Sequence, residues 1–158
     1  MKKFISKYLN DYSKLLDRTE EIADDLILLK NALDNVSKKG GKCIVVGNGG
    51  SAAIASHFSV DLTKNAKIRC VNFNESDLIT CFANDYGYHN WVAKAVEFYG
   101  DNGDVFIGIS SSGNSKNIIN GCNAAREGNF SKIITFSGMS KNNSLRKEGD
   151  INFWVNSK

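Results

Sequence analysis

Residues 104–119, "DVFIGISSSGNSKNII", decide the reading of this chain. They open on the apolar run "DVFI". They close on a helix-compatible stretch that continues through "KNIINGCNAAREG", residues 116–128. Between the two, "GISSSGNS" puts four serines and two glycines into eight positions, 108–115. A short, continuously apolar run bounded by turn residues has the texture of a strand buried on both faces, which belongs to a parallel sheet with helices on either side.

Four other runs share that texture: "KCIVV" (42–46), "IRCVNF" (68–73), "KIITFS" (132–137) and "INFWV" (151–155). Helix-compatible stretches separate them, with glycine near the joints. They are predicted at roughly 50–63, 76–83, 88–99 and 114–127, with a short one near 142–147. Strands alternating with helices predict an α/β fold, a five-stranded parallel sheet in three layers. Ahead of it, Phe4, Tyr8, Tyr12, Leu15, Ile22, Leu26, Leu29, Leu33 and Val36 recur at three- and four-residue steps. They predict helix over residues 4–37, either continuous or broken near Ser13 to Arg18. Lys38 to Gly41 ends it, with glycine past the terminus. So long a stripe predicts packing both on the chain's own domain and on another subunit. No repeat or linker divides the chain, so residues 1–158 read as one domain: a helical segment over 1–38 and an α/β core over 42–157. Lys158 follows three residues after the last strand run, which predicts an edge or face of the sheet without its covering helix.

Composition narrows the function classes. The 158 residues suffice for one domain with a core. Hydrophobic residues make up 42% and charged ones 23%, the ordinary globular range. A net charge of +3, spread along the chain, gives no nucleic-acid footprint. Apolar runs fall short of a membrane span, and "MKKFISKYLNDYSK" lacks the apolar core of a signal peptide. Cys43, Cys70, Cys81 and Cys122 show no CxxC pairing and read as reduced thiols of a cytoplasmic protein. Proline is absent, so glycine punctuates the chain.

In an open parallel sheet, ligands bind beyond the carboxyl ends of the strands. Two loops leave strands there: "VVGNGGSAA" (45–53) and "GISSSGNSKN" (108–117). Both enter helices and so offer unpaired N–H groups at the positive end of a helix dipole. The first matches G-x-G-x-x-A at Gly47, Gly49 and Ala52, a weak dinucleotide fingerprint. Its acidic partner would be Glu75 in "FNES", a poor match, so no nucleotide cofactor is expected. The second suits a phosphate monoester, whose charge and outward oxygens want many donors. The hydroxyls of Ser110, Ser111, Ser112 and Ser115 can rotate to donate, and Gly113 lets the backbone come close. A helix cap would explain one serine, not four. A serine hydrolase would need G-x-S-x-G, which is absent.

"GNGGSAA…HF" followed about sixty residues later by "GISSSGNSKNI" resembles the sugar isomerase (SIS) domain family, closest to its phosphoheptose isomerase subgroup. "ANDYGYHNWVAKAVEFYGDNGDVFIGIS" is similar to the same subgroup, with its N-D-x-G segment. The likeness runs over roughly residues 5 to 157. It implies a flavodoxin-like α/β fold and a homotetramer with active sites at subunit interfaces. The implied activity is aldose–ketose isomerisation of sedoheptulose 7-phosphate to a heptose 7-phosphate, for lipopolysaccharide or capsule. By position, Ser110, Ser111, Ser112 and Ser115 would hold the phosphate. Asn48, Gly49, Gly50 and Ser51 would line the sugar, with Asn84 and Asp85 contributing. His57 and Asp61 fall where members place a histidine and a glutamate that bind substrate and, in several, zinc.

Such isomerisation passes through an enediol, and one group must take a carbon-bound proton. Asp61 is the carboxylate of "HFSVDLTKN", four residues after His57. That spacing puts both on one helical face, expected near the sheet's ligand end. Two such ligands can begin a zinc site and not complete one. Asp61 is one methylene shorter than the family glutamate, a shift worth roughly a hundredfold in rate if uncompensated. The family's partner histidine, with a glutamine, lies on a C-terminal helix beyond the equivalent of Lys158. The other histidine, His89, has no catalytic role implied. The rival to an enzyme is a phosphosugar-binding module of the same fold, a sensor or a partner of a replication initiator.

Overall fold

The computed structural model describes residues 1–17 and 19–157. Among them, five strands form one sheet, every pairing parallel: β1 (Cys43–Gly47), β2 (Cys70–Val71), β3 (Val105–Ser110), β4 (Lys132–Ser137) and β5 (Ile151–Trp154). Their order is β2-β1-β3-β4-β5. The chain therefore reverses its direction of travel between β1 and β3, which leaves a crevice beyond their carboxyl ends.

Alternation along the strands explains why both faces need cover. Cys43, Val45, Val105, Ile107 and Ile134 point to one face, where α2 (Thr19–Lys38) and α3 (Gly50–Lys64) lie. Ile44, Val46, Phe106 and Ile133 point to the other, under α5 (Trp91–Tyr99) and α6 (Lys116–Glu127), with α4 (Ser76–Tyr86) beside them. The apolar runs of β1, β3 and β4 are thus covered on both faces, whereas edge strand β2 has Cys70 half-buried and Val71 exposed. Gly121 and Gly108 set the spacing on this second face. A Cβ on Gly121 would sit 2.6 Å from Val92, and one on Gly108 2.9 Å from Ile118.

The N-terminal helical segment is two helices. Helix α1 (Lys2–Leu16) ends at Asp17, and α2 begins at Thr19; Arg18 lies outside the described residues. Leu29, Ala32, Leu33 and Val36 of α2 are buried on the sheet at i, i+3, i+4, i+7 spacing. No residue of α1 is buried, and Leu26 is 44% exposed, so the single apolar stripe does two jobs. At the edge strand β5 one face is covered. Ile151 and Phe153 are buried in the same cluster as α2, and Phe153 stacks on Phe136 at 4.7 Å.

Three elements differ from expectation. The second strand is two residues long, not six. Beyond Val71 the side chains of Asn72 and Asn74 bond to α3, at Ser59 Oγ (2.9 Å), Ala52 O (2.9 Å) and Ser56 Oγ (2.6 Å), and lead the chain off the sheet. The helix expected from residue 88 starts at Trp91, because Gly87 takes φ +82° and residues 88–90 turn. The short helix near 142–147 is a 3-10 turn over Leu145–Lys147.

Candidate functional site

The serine loop runs from the end of β3 to the start of α6. Ser110 Oγ lies 2.9 Å from Ser115 Oγ and 3.5 Å from Ser112 Oγ, so three of the four hydroxyls converge. Ser111 faces out, and its carbonyl accepts from Gly138 N at 3.0 Å. Ser115 is the residue before α6 and makes no side-chain cap bond, so the hydroxyl is not spent on capping. The first-turn N–H groups of Lys116 and Asn117 have no partner among the described residues. The loop is held open from behind. Gly113 N donates to Ser110 O (2.9 Å), Leu145 N to Gly113 O (2.8 Å) and Ser144 N to Asn114 Oδ1 (3.2 Å). Asn143, 2% exposed, packs against Gly113 and donates to Ser137 Oγ at 3.0 Å. The outcome is a cluster of hydroxyl and unpaired amide donors with no acidic side chain among them, suited to a dianion.

The other loop sits across the crevice. Gly47 ends β1 so closely under α3 that a Cβ would be 2.6 Å from the Ser51 backbone, and Gly49 has φ +53°. These glycines answer steric needs of the turn. Asn48 and Asn117 exchange two amide hydrogen bonds, 3.0 and 2.9 Å, and tie the two loops together. Tyr88 OH donates to Asn48 Oδ1 at 3.2 Å. Asn120 Nδ2 donates to His89 O at 2.8 Å and pins the 87–90 turn to α6. Three segments far apart in sequence thus meet at the β1/β3 switch point.

A family model described as SIS domain matches residues 7–138. The chain belongs to the SIS domain family. The phosphoheptose isomerase of Fusobacterium nucleatum is 38% identical over 77% of this chain and 66% of its own length. That of Proteus mirabilis is 37% identical over 85% of this chain and 68% of its own. The chain therefore spans about two thirds of the length of these curated relatives. The solved phosphoheptose isomerase of Neisseria gonorrhoeae superposes with a TM-score of 0.89 at 26% identity, over 99% of this chain and 87% of that one. The structure from Francisella tularensis gives 0.89 and 26% as well. The flavodoxin-like SIS fold is thus the fold of this chain.

Within this SIS domain, His57 and Asp61 do share a face of α3: Nε2 and Oδ2 are 3.5 Å apart. Asn65 Nδ2 donates to Asp61 Oδ1 at 3.1 Å. Their position along the helix corrects the expectation. Helix α3 starts at the ligand end and runs back, so Asp61 lies eleven residues from Gly50, about 16 Å along the axis at 1.5 Å per residue. It stands near the strands' amino ends, with Asn65 N and Ala66 N bonded to its carbonyl. Both side chains are exposed, 80% and 51%. Among the described residues no group of three or more His, Cys, Asp or Glu is placed to hold a metal. The donor set within one chain does not fit a zinc centre, which wants at least three protein ligands. Asn84 and Asp85 lie exposed in the last turn of α4, hydrogen-bonded to each other at 2.9 Å and not to either loop.

A cleft of about 620 Å³ opens elsewhere, between the β2 edge and α4, lined by Phe73, Leu78, Cys81 and Phe82 among others. It shares no residue with the serine loop, and its largely apolar wall does not suit a phosphosugar. Asn117, Tyr88 and Asn143 complete the site and carry no motif. Only the late asparagine of "SGNSKN" stood close enough to the serines to be suspected.

Proposed function

We propose that the chain acts as a phosphoheptose isomerase, interconverting sedoheptulose 7-phosphate and D-glycero-D-manno-heptose 7-phosphate through an enediol. The observation that carries this reading is the convergence of Ser110, Ser112 and Ser115 at the amino end of α6, in a chain whose curated relatives bear that activity. The hydroxyls and first-turn amides hold the phosphate, and the 48–51 loop lies alongside for the sugar. Asp61 takes the carbon-bound proton. Because Asp61 stands about 16 Å down α3 from its own loop, the base comes from a second protomer. Exposed Ile54 and Val60, on α3 beside His57 and Asp61, support such an interface. A homotetramer, cytoplasmic and supplying heptose for lipopolysaccharide or capsule, completes the proposal. The free state of Cys43, Cys70, Cys81 and Cys122 accords with a reducing compartment. Zinc would need donors beyond His57 and Asp61, and no step here uses it.

Complementation between inactive variants tests the reading. Asp61→Asn and Ser112→Ala should each abolish or sharply lower turnover of sedoheptulose 7-phosphate. Co-refolding the two should restore part of the wild-type rate, with and without chelator. Turnover without recovery on mixing would place Asp61 and the serines in one protomer's site. Phosphosugar binding with no turnover in any arrangement would favour the binding-module reading.

A further inference from the structure

We propose that Tyr88 is a positioning residue that makes Asn48 a one-way hydrogen-bond donor to the sugar, an inference that rests on the isomerase reading above. An asparagine amide has two acceptor sites on oxygen and two N–H donors. Asn48 Oδ1 accepts from Asn117 Nδ2 at 2.9 Å and from Tyr88 OH at 3.2 Å, which fills both acceptor sites. Asn48 Nδ2 spends one N–H on Asn117 Oδ1 at 3.0 Å. One N–H remains. A sugar oxygen that accepts is matched there, and a group that must donate meets no acceptor.

The partner that holds the pair is built in. Asn117 is 2% exposed and stands two residues beyond Ser115, so the orientation of Asn48 is referenced to the phosphate cradle. Tyr88 adds the third contact from a turn that has its own anchor, Asn120 to His89 O (2.8 Å) and to Asn90 Oδ1 (3.1 Å). Deleting the hydroxyl alone should therefore leave the turn in place and free one acceptor site on Asn48.

The test is a double-mutant cycle on the full chain, with wild type, Tyr88→Phe, Asn48→Ala and the double variant. Each is titrated calorimetrically with sedoheptulose 7-phosphate and, separately, with inorganic phosphate. Tyr88→Phe should weaken the phosphosugar about three- to tenfold, the span of one hydrogen bond, and leave phosphate binding and thermal stability unchanged. In the Asn48→Ala background the same change should have less than about a twofold effect. Equal losses in both backgrounds, equal losses for phosphate, or no loss at all would overturn the role of Tyr88 alone. A wild type that binds phosphate and not the phosphosugar would overturn the isomerase reading and this inference with it.

Discussion

Gly113 shows how much of the cradle rests on single atoms. Its φ is +66°, in the left-handed region, and a Cβ there would lie 2.5 Å from the Cβ of Asn143. Asn143 cannot yield, because Ser137 Oγ, Ser140 O and Arg146 N all bond its amide. Gly113→Ala should cost about 1–3 kcal/mol in urea unfolding. It should also weaken inorganic phosphate at least about tenfold, since the hydroxyls beside it lose register. Unchanged phosphate affinity would show that the loop shape does not make the site. The need for glycine here was visible in "SSGNS". Its steric cause was not, because Asn143 is thirty residues away and reaches the loop only through the packing of the 138–146 segment. Ser111 is exposed, and its hydroxyl bonds to none of the other three serines among the described residues.

At the scale of elements, the amino ends of β1 and β3 are joined by a charged staple. Asp104, fully buried, accepts from Lys42 N (2.8 Å), Lys42 Nζ (2.6 Å) and Asp101 N (2.9 Å). Lys42 Nζ also meets Asp101 at 2.6 Å. Asp104→Ala leaves the amides of Lys42 and Asp101 unpaired and the Lys42 ammonium without its buried partner, and should cost about 3–5 kcal/mol, read from the urea midpoint. The pH limits follow from the shifts. Burial pulls the Lys42 pKa down, but Asp101 and Asp104 more than offset it and hold it above 10.5. Its stabilisation is complete below that value and is lost as pH rises through the folded pKa. The Lys42 hydrogen bond holds Asp101 below 3.8, so its stabilisation is present above that value and lost as pH falls through the folded pKa. Asp101→Asn should lower the melting temperature in the middle of the profile and leave its acid end where it was, which flattens the acid limb. An identical acid limb would mean the pair is not closed in solution. Burial also pushes the Cys122 thiol up to about 12, which keeps it inert at neutral pH.

For the whole molecule, the question is what α1 is for. Phe4, Ile5, Tyr8, Leu9, Tyr12 and Leu16 are each about half exposed or more, along one side of a helix that buries nothing in its own domain. Large contiguous exposed apolar patches are characteristic of interaction sites. Within the proposal the occupant is another copy, which would also bring Asp61 to a neighbour's cradle. Leu9→Lys combined with Tyr12→Lys should lower the sedimentation mass and abolish turnover, while phosphate still binds each protomer. An unchanged mass would assign the assembly to other surfaces.

The amino-acid pattern alone determined the layers: the parallel strands, the helices between them and the two glycine- and serine-bearing loops at their carboxyl ends. It could do so because strand and helix periodicities and turn chemistry are local properties of a few neighbouring residues. Tertiary structure decided the remainder. It split the N-terminal stripe between a partly buried α2 and an exposed α1, and let three serines converge. It also locked Asn48 to Asn117 and Tyr88, and set Asp61 at the far end of α3. Each of these depends on which distant segments meet across the sheet and on the direction in which a helix leaves its strand, and no short window of sequence records either.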